Sequence, residues 1–423
     1  MRRLPRGRTP FGAQACAPGH SDTGPLRAVR RRPVVMISAV ADSEVSIFTR
    51  MTALAERSGA INLGQGFPDF DGPAAVIEAA VDALRAGHNQ YPPLQGVPAL
   101  RNAIAAHQAR RYGIVLDPER EIQVTFGATE AIASALLALV GPGDEVAFLD
   151  PSYDAYPAIV ALAGARARGI VLRPPDWRLE PQALAAAITD RTRVLLLNSP
   201  HNPTGRVLGR DELELLASSC RERDLIVVTD EVYEHLVFDG EHIPIATLPG
   251  MAERTLSTSS VGKSFSVTGW KIGWASGPAE LIARVRAVKQ FLTFVGGAPL
   301  QYAAATALTL PDEVTAELAV MLRDKRDRLA DGLRGAGFDV LASASTYFLN
   351  ADASPLGEPD ARALCERLAR EAGVVAIPTS AFAADQSGPT RPLVRFAFPK
   401  GDSVIEEAVR RIARWASERE QLA

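Results

Sequence analysis

Residues 122–229 alternate between short apolar runs and longer segments of helical periodicity, and this alternation constrains the fold more than any other feature. The apolar runs are Ile122–Phe126, Glu145–Leu149, Val194–Asn198 and Leu225–Thr229, and the helical segments include Ala128–Val140 and Asp211–Arg223. Short continuous apolar runs are typical of parallel strands that are buried on both faces. Strand, helix and strand in succession therefore predict an α/β fold, with a mainly parallel central sheet and helices on both faces.

The C-terminal part has a different pattern, and a chain of 423 residues is long enough for two domains. A long helix near Pro311–Gly337 precedes short strands around Phe338–Leu341, Thr346–Asn350 and Leu393–Phe398, and amphipathic helices at Asp360–Ala372 and Ser403–Arg419. This pattern indicates a smaller α+β domain. We predict a large domain of residues 75–305 and a small domain built from residues 34–74, which include an N-terminal arm, and residues 306–423.

Residues 1–33 contain eight arginines, five prolines and a single acid, Asp22. Such a segment buries too little apolar surface to offset its ordering entropy, so we predict that it is disordered. A transit peptide and a nucleic-acid-binding arm are the alternatives, but the density of proline and glycine disfavours an amphipathic helix. An over-extended start, with the natural one near Val34 to Met36, would also explain the segment.

Charge and cysteine content exclude several classes of protein. A net charge of −3 gives no global field that would attract nucleic acid or a membrane, and no apolar run approaches the roughly 18 residues of a membrane span. Cys16, Cys220 and Cys365 are far apart, without a C-x-x-C pair. We therefore expect neither a disulfide framework nor a metal site, and a cytoplasmic location.

One of only five lysines, Lys263, lies in a loop of small hydroxylated residues flanked by glycines, within Thr258–Lys271. An ammonium that is desolvated among such residues loses its proton readily and becomes a nucleophile, as a Schiff-base enzyme requires. This segment alone leaves a surface loop lysine as the alternative.

Three predicted strand ends carry polar groups at the edge where open parallel sheets bind ligands. Gly127–Glu130 opens a helix with free backbone N–H groups and the Thr129 hydroxyl, which form either an anion cradle or an ordinary cap. Two X-Pro steps fix the Asn202 amide, for a ligand or simply in a rigid turn. Asp230 ends a nearly all-apolar strand, where its carboxylate needs a partner, either a ligand or a helix cap.

Three spaced motifs follow one another in the chain: Asn-Pro-x-Gly at Asn202–Gly205, Asp-x-x-Tyr at Asp230–Tyr233, and Ser-x-x-Lys at Ser260–Lys263 with a further base at Lys271. In this order they resemble the class I/II aminotransferases of fold type I, which depend on pyridoxal 5'-phosphate (PLP). The resemblance extends from about Val34 to the C-terminus. It implies a fold-type I PLP transferase.

Other stretches are similar to the kynurenine, glutamine and methionine transaminase branch of that family, whose actinobacterial members include enzymes assigned as N-succinyldiaminopimelate aminotransferases. These stretches are Asn62–Asp69, Asn89–Tyr91, Pro151–Asp154, Ser199–Pro203, Asp230–Asp239 and Thr268–Trp274.

The resemblance implies a role for each candidate cofactor residue. Lys263 would form the Schiff base with PLP and then move the substrate Cα proton, and Asp230 would pair with the pyridine nitrogen. Asn202 and Tyr233 would hydrogen-bond the ring oxygen, and Tyr153 would stack on the ring.

The phosphate would be held by Ala128, Thr129, Ser260 and Lys271. Tyr91 would reach the phosphate of the neighbouring subunit, which implies a homodimer.

The resemblance also assigns the substrate α-carboxylate to Arg395, because a guanidinium forms a planar bidentate clamp. The residue alone is more typical of a structural arginine paired with an acid. Gly66 would complete the substrate pocket with Asn202 and Phe67. We expect Phe48, Tyr347 and Phe348 to be core residues, although any of them could line the pocket.

These residues predict a PLP-dependent aminotransferase that moves an α-amino group between an amino acid and 2-oxoglutarate. Our preferred donor is N-succinyl-L,L-diaminopimelate, in lysine biosynthesis. No arginine in residues 62–71 or 347–350 would meet its distal carboxylates, so kynurenine, methionine or glutamine transamination and cysteine-conjugate β-elimination remain alternatives. A PLP-binding transcription regulator is a remote alternative, since the 33-residue basic segment is too short for a DNA-binding domain.

Overall fold

The computed structural model describes residues 47–421. The strands are β1 (Ile61–Asn62), β2 (Ile122–Phe126), β3 (Glu145–Asp150), β4 (Arg166–Val171), β5 (Thr192–Asn198), β6 (Ile226–Asp230), β7 (Thr255–Ser260), β8 (Ile272–Ser276), β9 (Asp339–Val340), β10 (Phe348–Asp352), β11 (Val374–Val375), β12 (Ile377–Pro378) and β13 (Leu393–Ala397).

The helices are α1 (Ile47–Ser58), α2 (Ala74–Arg85), α3 (Pro98–Tyr112), α4 (Gly127–Leu139), α5 (Ala155–Leu162), α6 (Pro181–Ala187), α7 (Arg210–Glu222), α8 (Val261–Ser264), α9 (Ala279–Leu292), α10 (Ala298–Thr309), α11 (Asp312–Gly335), α12 (Ala361–Arg367) and α13 (Asp402–Glu420). No helix between residues 47 and 421 is long and apolar enough to cross a membrane.

A seven-stranded sheet in the order β2-β8-β7-β6-β5-β3-β4 forms the centre of the molecule. Five strands, β7, β6, β5, β3 and β4, run parallel to one another. β8 is antiparallel to both β2 and β7. The predicted α/β class with a mainly parallel sheet is confirmed.

Burial on both faces explains why the central strands are almost uninterrupted apolar runs. In β5, Val194 and Leu196 join a cluster that includes Leu136 of α4. The intervening residues Leu195 and Leu197 join a cluster on the other face, against α6 and α7. Successive side chains of a strand point to opposite faces, so a strand covered by helices on both sides must be apolar at every position.

The antiparallel orientation of β8 was not predicted from the apolar pattern. The chain leaves β7 at Ser260, passes through α8 and a 3-10 turn at Thr268–Trp270, and enters β8 directly. Lys271, with φ of 54°, completes this turn. An antiparallel neighbour needs only such a short connection, whereas a parallel one needs a longer crossover.

A second layer combines both ends of the described chain. Its four-stranded antiparallel sheet has the order β12-β13-β10-β9, and β1 pairs with β11 beside it. One apolar cluster contains Met51 of α1, Leu329 of α11, Phe396 of β13 and Ile412 of α13. The domain limits at residues 34–74, 75–305 and 306–423 stay a prediction, and the leader at residues 1–33 lies outside the described residues.

Candidate active site

The carboxyl ends of several central strands open into one cavity of about 370 Å³. Its lining includes ten of the twelve site residues predicted from the sequence: Gly66, Ala128, Thr129, Tyr153, Asn202, Asp230, Tyr233, Ser260, Lys263 and Lys271. The other two, Arg395 and Tyr91, lie outside its lining.

Lys263 lies in α8, immediately after the end of β7, and its side chain is partly buried in the cavity wall. Its Nζ donates a hydrogen bond to the carbonyl oxygen of Gly66 at 3.0 Å. Burial lowers its pKa to about 8, although the charge of Asp230 acts in the opposite direction. A lysine with such a pKa supplies a substantial fraction of neutral amine near physiological pH, which a nucleophile or a proton acceptor requires.

Asp230 is the last residue of β6 and is buried at the floor of the cavity. The Tyr156 hydroxyl donates to its Oδ2 at 2.7 Å, and the Val232 N–H donates to Oδ1 at 3.3 Å. Burial raises its pKa, and no ammonium or guanidinium in residues 47–421 forms an ion pair with it within 4.0 Å. A cationic ring nitrogen would supply the missing counter-charge, so this residue fits PLP.

Asn198, the last residue of β5, and Asn202, in the loop that follows, hold this loop in place. Asn198 accepts from the Asn202 backbone N–H through Oδ1 at 2.8 Å and donates from Nδ2 to the Asp230 carbonyl oxygen at 2.8 Å. The side chain of Asn202 in turn accepts from Arg395 Nη1 at 2.8 Å. The Asn202 amide is therefore held between the strand ends and the small layer.

An anion cradle lies at the start of α4, where the first backbone N–H groups have no partner within the helix. Gly127, with φ of 69°, turns the chain into the helix, and a Cβ built on it would lie 3.4 Å from Lys271 Nζ. Ala128, Thr129 and Ser260 line the same end of the cavity. Helix N-terminal amides beside an ammonium fit a phosphate group.

Arg395 in β13 is fully buried. Nη1 bonds Asn202, Nη2 donates to the Gly64 carbonyl oxygen at 3.2 Å, and Nε has no partner in the described chain. Its Cζ lies 3.8 Å from the Phe348 ring centroid and 4.2 Å from that of Phe382. No ion pair within 4.0 Å in residues 47–421 involves it, so the structure does not contain the acid that a purely structural arginine would need.

Burial lowers the Arg395 pKa to about 9. A carboxylate ligand beside it would favour the charged form, because an opposite charge stabilises a guanidinium that has been taken out of water. The residue is therefore suited to bind an anionic substrate group close to Asn202.

Aromatic side chains form much of the cavity wall. Phe48, Phe67 and Phe348 all line it, whereas Tyr347 is a core residue whose hydroxyl donates to the Lys263 carbonyl oxygen at 2.7 Å. A Cβ on Gly66 would lie 2.4 Å from Cζ of Phe348. A side chain at position 66 would therefore collide with the Phe348 ring.

Two predicted cofactor tyrosines lie in the cavity and a third lies apart. Tyr153 lines the cavity, and burial raises its pKa to about 12. Tyr233 is buried in the wall, with its ring centroid 5.5 Å from that of Tyr347. Tyr91 is 80% exposed and contacts Phe294 at a ring-centroid distance of 5.6 Å. Its predicted reach into a neighbouring subunit stays a prediction.

Sequence reasoning missed two residues that position the site, Tyr156 and Asn198. Tyr156 lies three residues after Tyr153 at the start of α5. This is a helical spacing that places both tyrosines on one side. Asn198 ends β5 and was predicted only as the last residue of the apolar run Val194–Asn198. Both signals were present, but only the packed structure shows that each meets Asp230.

The comparisons with known proteins agree with this geometry. The profile of the family described as aminotransferase class I and II matches residues 58–412. A Mycobacterium tuberculosis protein named probable N-succinyldiaminopimelate aminotransferase DapC is 52% identical over 388 residues, which are 89% of this chain and 98% of the relative. The methionine aminotransferase of Escherichia coli is 40% identical over 381 residues, which are 90% of this chain and 98% of that relative.

Solved structures give the same result. The N-succinyldiaminopimelate aminotransferase of M. tuberculosis superposes with a TM-score of 0.87 at 52% identity, over 89% of this chain and 98% of that chain. The aspartate aminotransferase of Thermus thermophilus, solved with maleate, superposes with a TM-score of 0.81 at 34% identity. The match covers 89% of this chain and 98% of that chain.

Proposed function

The chain belongs to the class I and II aminotransferases and is a PLP-dependent transaminase, and from this premise we propose that its cavity transfers an α-amino group from an amino acid to 2-oxoglutarate. The main support for the proposal is that one cavity brings three features together. It combines a lysine of lowered pKa, a buried carboxylate without a cationic partner and a helix N-terminus beside an ammonium. These three features match the aldehyde, the ring nitrogen and the phosphate of PLP.

When bound, PLP supplies an aldehyde for the substrate amine and a ring that withdraws electrons from the substrate Cα. In our assignment, Asp230 balances the ring nitrogen, while Asn202 and Tyr233 donate to the ring oxygen. Tyr153 packs on the ring face. Ala128, Thr129, Ser260 and Lys271 bind the phosphate, and Tyr91 contributes from a second subunit.

Lys263 holds the cofactor and, once its amine is neutral, accepts the substrate Cα proton. Its hydrogen bond to the Gly66 carbonyl oxygen at 3.0 Å directs Nζ toward the N-terminal segment that closes the substrate side of the cavity. The amine and the incoming Cα therefore meet on one side of the cavity, as proton transfer requires.

Arg395 binds the substrate α-carboxylate in this assignment. Its unpaired Nε and its hydrogen bond to Asn202 support the role, because the guanidinium is buried, oriented and short of one acceptor. With its carboxylate fixed by Arg395, the substrate would present its Cα proton to Lys263, which would favour loss of the proton over loss of carbon dioxide.

We propose N-succinyl-L,L-diaminopimelate as the amino donor, within lysine biosynthesis. The support is the DapC relative, 52% identical and covered over 98% of its length. An aromatic or thioether amino acid is the second candidate, because Phe48, Phe67 and Phe348 line the cavity, whereas the lysines in its lining, Lys263 and Lys271, are assigned to the cofactor. Methionine and kynurenine transaminases are among the more distant relatives.

A donor screen distinguishes these candidates. The kcat/KM of the reaction of glutamate with succinylamino-oxopimelate would be compared with the values for kynurenine, methionine and glutamine with 2-oxoglutarate. We expect the succinylated substrate to be preferred. A tenfold preference for kynurenine or methionine, equivalent to about 1.4 kcal/mol in the transition state, would replace the succinylated donor with the second candidate. Absence of turnover with every pair would contradict the transaminase assignment.

A further inference from the structure

A buried cluster of histidines and carboxylates lies outside the PLP cavity, between α3 and the turn that follows β6. His107 of α3 and His235 of the turn, which are 128 residues apart in the chain, place their Nε2 atoms 2.9 Å apart. Their rings are nearly perpendicular, at 88°. One ligand atom from each of His107, His235 and Glu234 lies within 4.8 Å of the other two.

The carboxylate of this cluster is held in a fixed orientation. The Tyr112 hydroxyl donates to Glu234 Oε2 at 2.7 Å, and the Ser259 hydroxyl donates to Oε1 at 2.6 Å. Hydrogen bonds of this kind orient the carboxylate ligands of metal sites and leave further lone pairs available for the ion.

Several buried nitrogen atoms beside the cluster show that its hydrogen-bond network is incompletely satisfied. His107 Nδ1 and both ring nitrogens of His242 have no hydrogen-bond partner within the described part of the chain. The side chain of His242 is only 4% exposed, and its Nε2 lies 3.6 Å from Glu231 Oε2. Buried polar groups of a purely structural network are usually satisfied.

An entry path is present. A cavity of about 480 Å³ reaches the cluster and is lined by Arg111, Tyr112, Glu234, His235 and His242, among others. A hydrated ion can therefore approach the cluster through this cavity.

We propose that Nε2 of His107, Nε2 of His235 and a carboxylate oxygen of Glu234 bind a divalent transition-metal ion such as Zn²⁺, with a fourth position open to water. Two imidazoles and a carboxylate are a common ligand set for this ion. Metal–ligand bonds of about 2.0–2.2 Å in a tetrahedral site place ligand atoms about 3.3 Å apart. The two imidazole nitrogens must then separate by a few tenths of an ångström, and the carboxylate must move closer. The proton between the two nitrogens moves to Nδ1 of the same imidazole.

Positive charges near the cluster are partly neutralised. Arg111 Nη2 lies 3.5 Å from Nδ1 of His235 and also donates to Thr315 at 3.0 Å. Arg110 and Arg111 both form ion pairs with Asp312, at 3.3 and 3.4 Å. The two imidazole ligands favour an ion that binds nitrogen strongly, such as Zn²⁺, over Mg²⁺ or Ca²⁺. The bound ion would link α3 to the turn that carries Tyr233.

Metal content tests the proposal directly. PLP-loaded enzyme would be incubated with ZnCl2, dialysed and analysed by inductively coupled plasma mass spectrometry. We expect one equivalent of zinc per chain, and none above background in His107→Ala and Glu234→Gln. His88→Ala is the matched control, because His88 is exposed and stacks on Tyr302 outside the cluster. It should retain the zinc of the unaltered enzyme.

Cobalt substitution of the unaltered enzyme gives a readout that does not depend on how a variant folds. Tetrahedral Co²⁺ bound to nitrogen and oxygen ligands should produce visible absorption bands, and added Zn²⁺ should abolish them and raise the melting temperature. If the unaltered enzyme retains no more zinc than His107→Ala, or if the cobalt bands do not appear, the cluster is only a hydrogen-bonded histidine pair. Either result is independent of transaminase activity.

Discussion

At the scale of single residues, the chemistry of the site depends on what surrounds Lys263. Burial moves its pKa from 10.5 to about 8, so the neutral amine becomes the major form roughly two pH units earlier than in a solvated lysine. The rate at which apoenzyme captures PLP should therefore rise with pH and level off above an apparent pKa near 8. Stopped-flow absorbance at several pH values measures this, and Lys263→Ala should capture no PLP that borohydride can trap. A midpoint near 10.5, or label on Lys271 or Lys289, would contradict the assignment.

Tyr156 is predicted to act through Asp230. Its hydroxyl hydrogen bond lowers the Asp230 pKa against the effect of burial, so Tyr156→Phe should raise that pKa. Asp230 would then lose its charge as the pH falls, and kcat should decrease most at low pH and recover at high pH. A hydrogen bond to a charged group contributes about 1.5–3 kcal/mol, which corresponds to a loss of roughly ten- to a hundredfold in kcat.

The pH profile of kcat separates this role from a structural one. A uniform loss of kcat at all pH values, or a change confined to KM, would indicate that Tyr156 only packs against Tyr153.

At the scale of secondary structure, the apolar pattern predicted four of the buried strands of the central sheet. It gave β2, β3, β5 and β6 to within two residues at each end, because a strand covered by helices has apolar side chains at every position. The pattern could not give the direction of β8, since strand direction depends on the length and path of the connection. The motif resemblance placed the cavity residues. The contact between Tyr156 and Asp230 depends on tertiary packing that no local pattern encodes.

The packing of β8 against the start of α4 gives a test of this element. A Cβ on Gly273 would lie 2.6 Å from the carbonyl carbon of Gly127 and 2.8 Å from the Ala128 nitrogen, both of them backbone atoms. Gly273→Ala should therefore displace the anion cradle, lower the free energy of unfolding by about 1–3 kcal/mol and weaken PLP binding.

Urea denaturation and PLP titration measure the two effects. Gly269→Ala is the control, because an added Cβ there meets nothing within 4 Å. Equal stability and PLP affinity in both variants would mean that β8 yields without disturbing the cradle.

At the scale of the whole molecule, a group of exposed apolar side chains predicts an interface with a second chain. Tyr91 and Phe291 are 80% and 86% exposed, and Leu292 and Phe294 are about half exposed. Exposed aromatic side chains gathered in one region are typical of protein–protein interfaces. Tyr91 lies outside the lining of its own cavity, which agrees with its proposed role in the cavity of a second chain.

We therefore predict a homodimer whose two cavities each require Tyr91 from the partner. Sedimentation velocity should show a dimer, and Phe291→Asp should shift it toward monomer, because a carboxylate buried in an apolar contact loses its hydration. Tyr91→Phe should remain dimeric and yet bind PLP more weakly, since it removes only the hydroxyl proposed to reach the phosphate. Mixing inactive Lys263→Ala with inactive Tyr91→Ala should restore part of the activity, because one cavity of a mixed dimer then contains both residues. A monomer that retains full PLP affinity, or mixtures that never regain activity, would contradict a shared site.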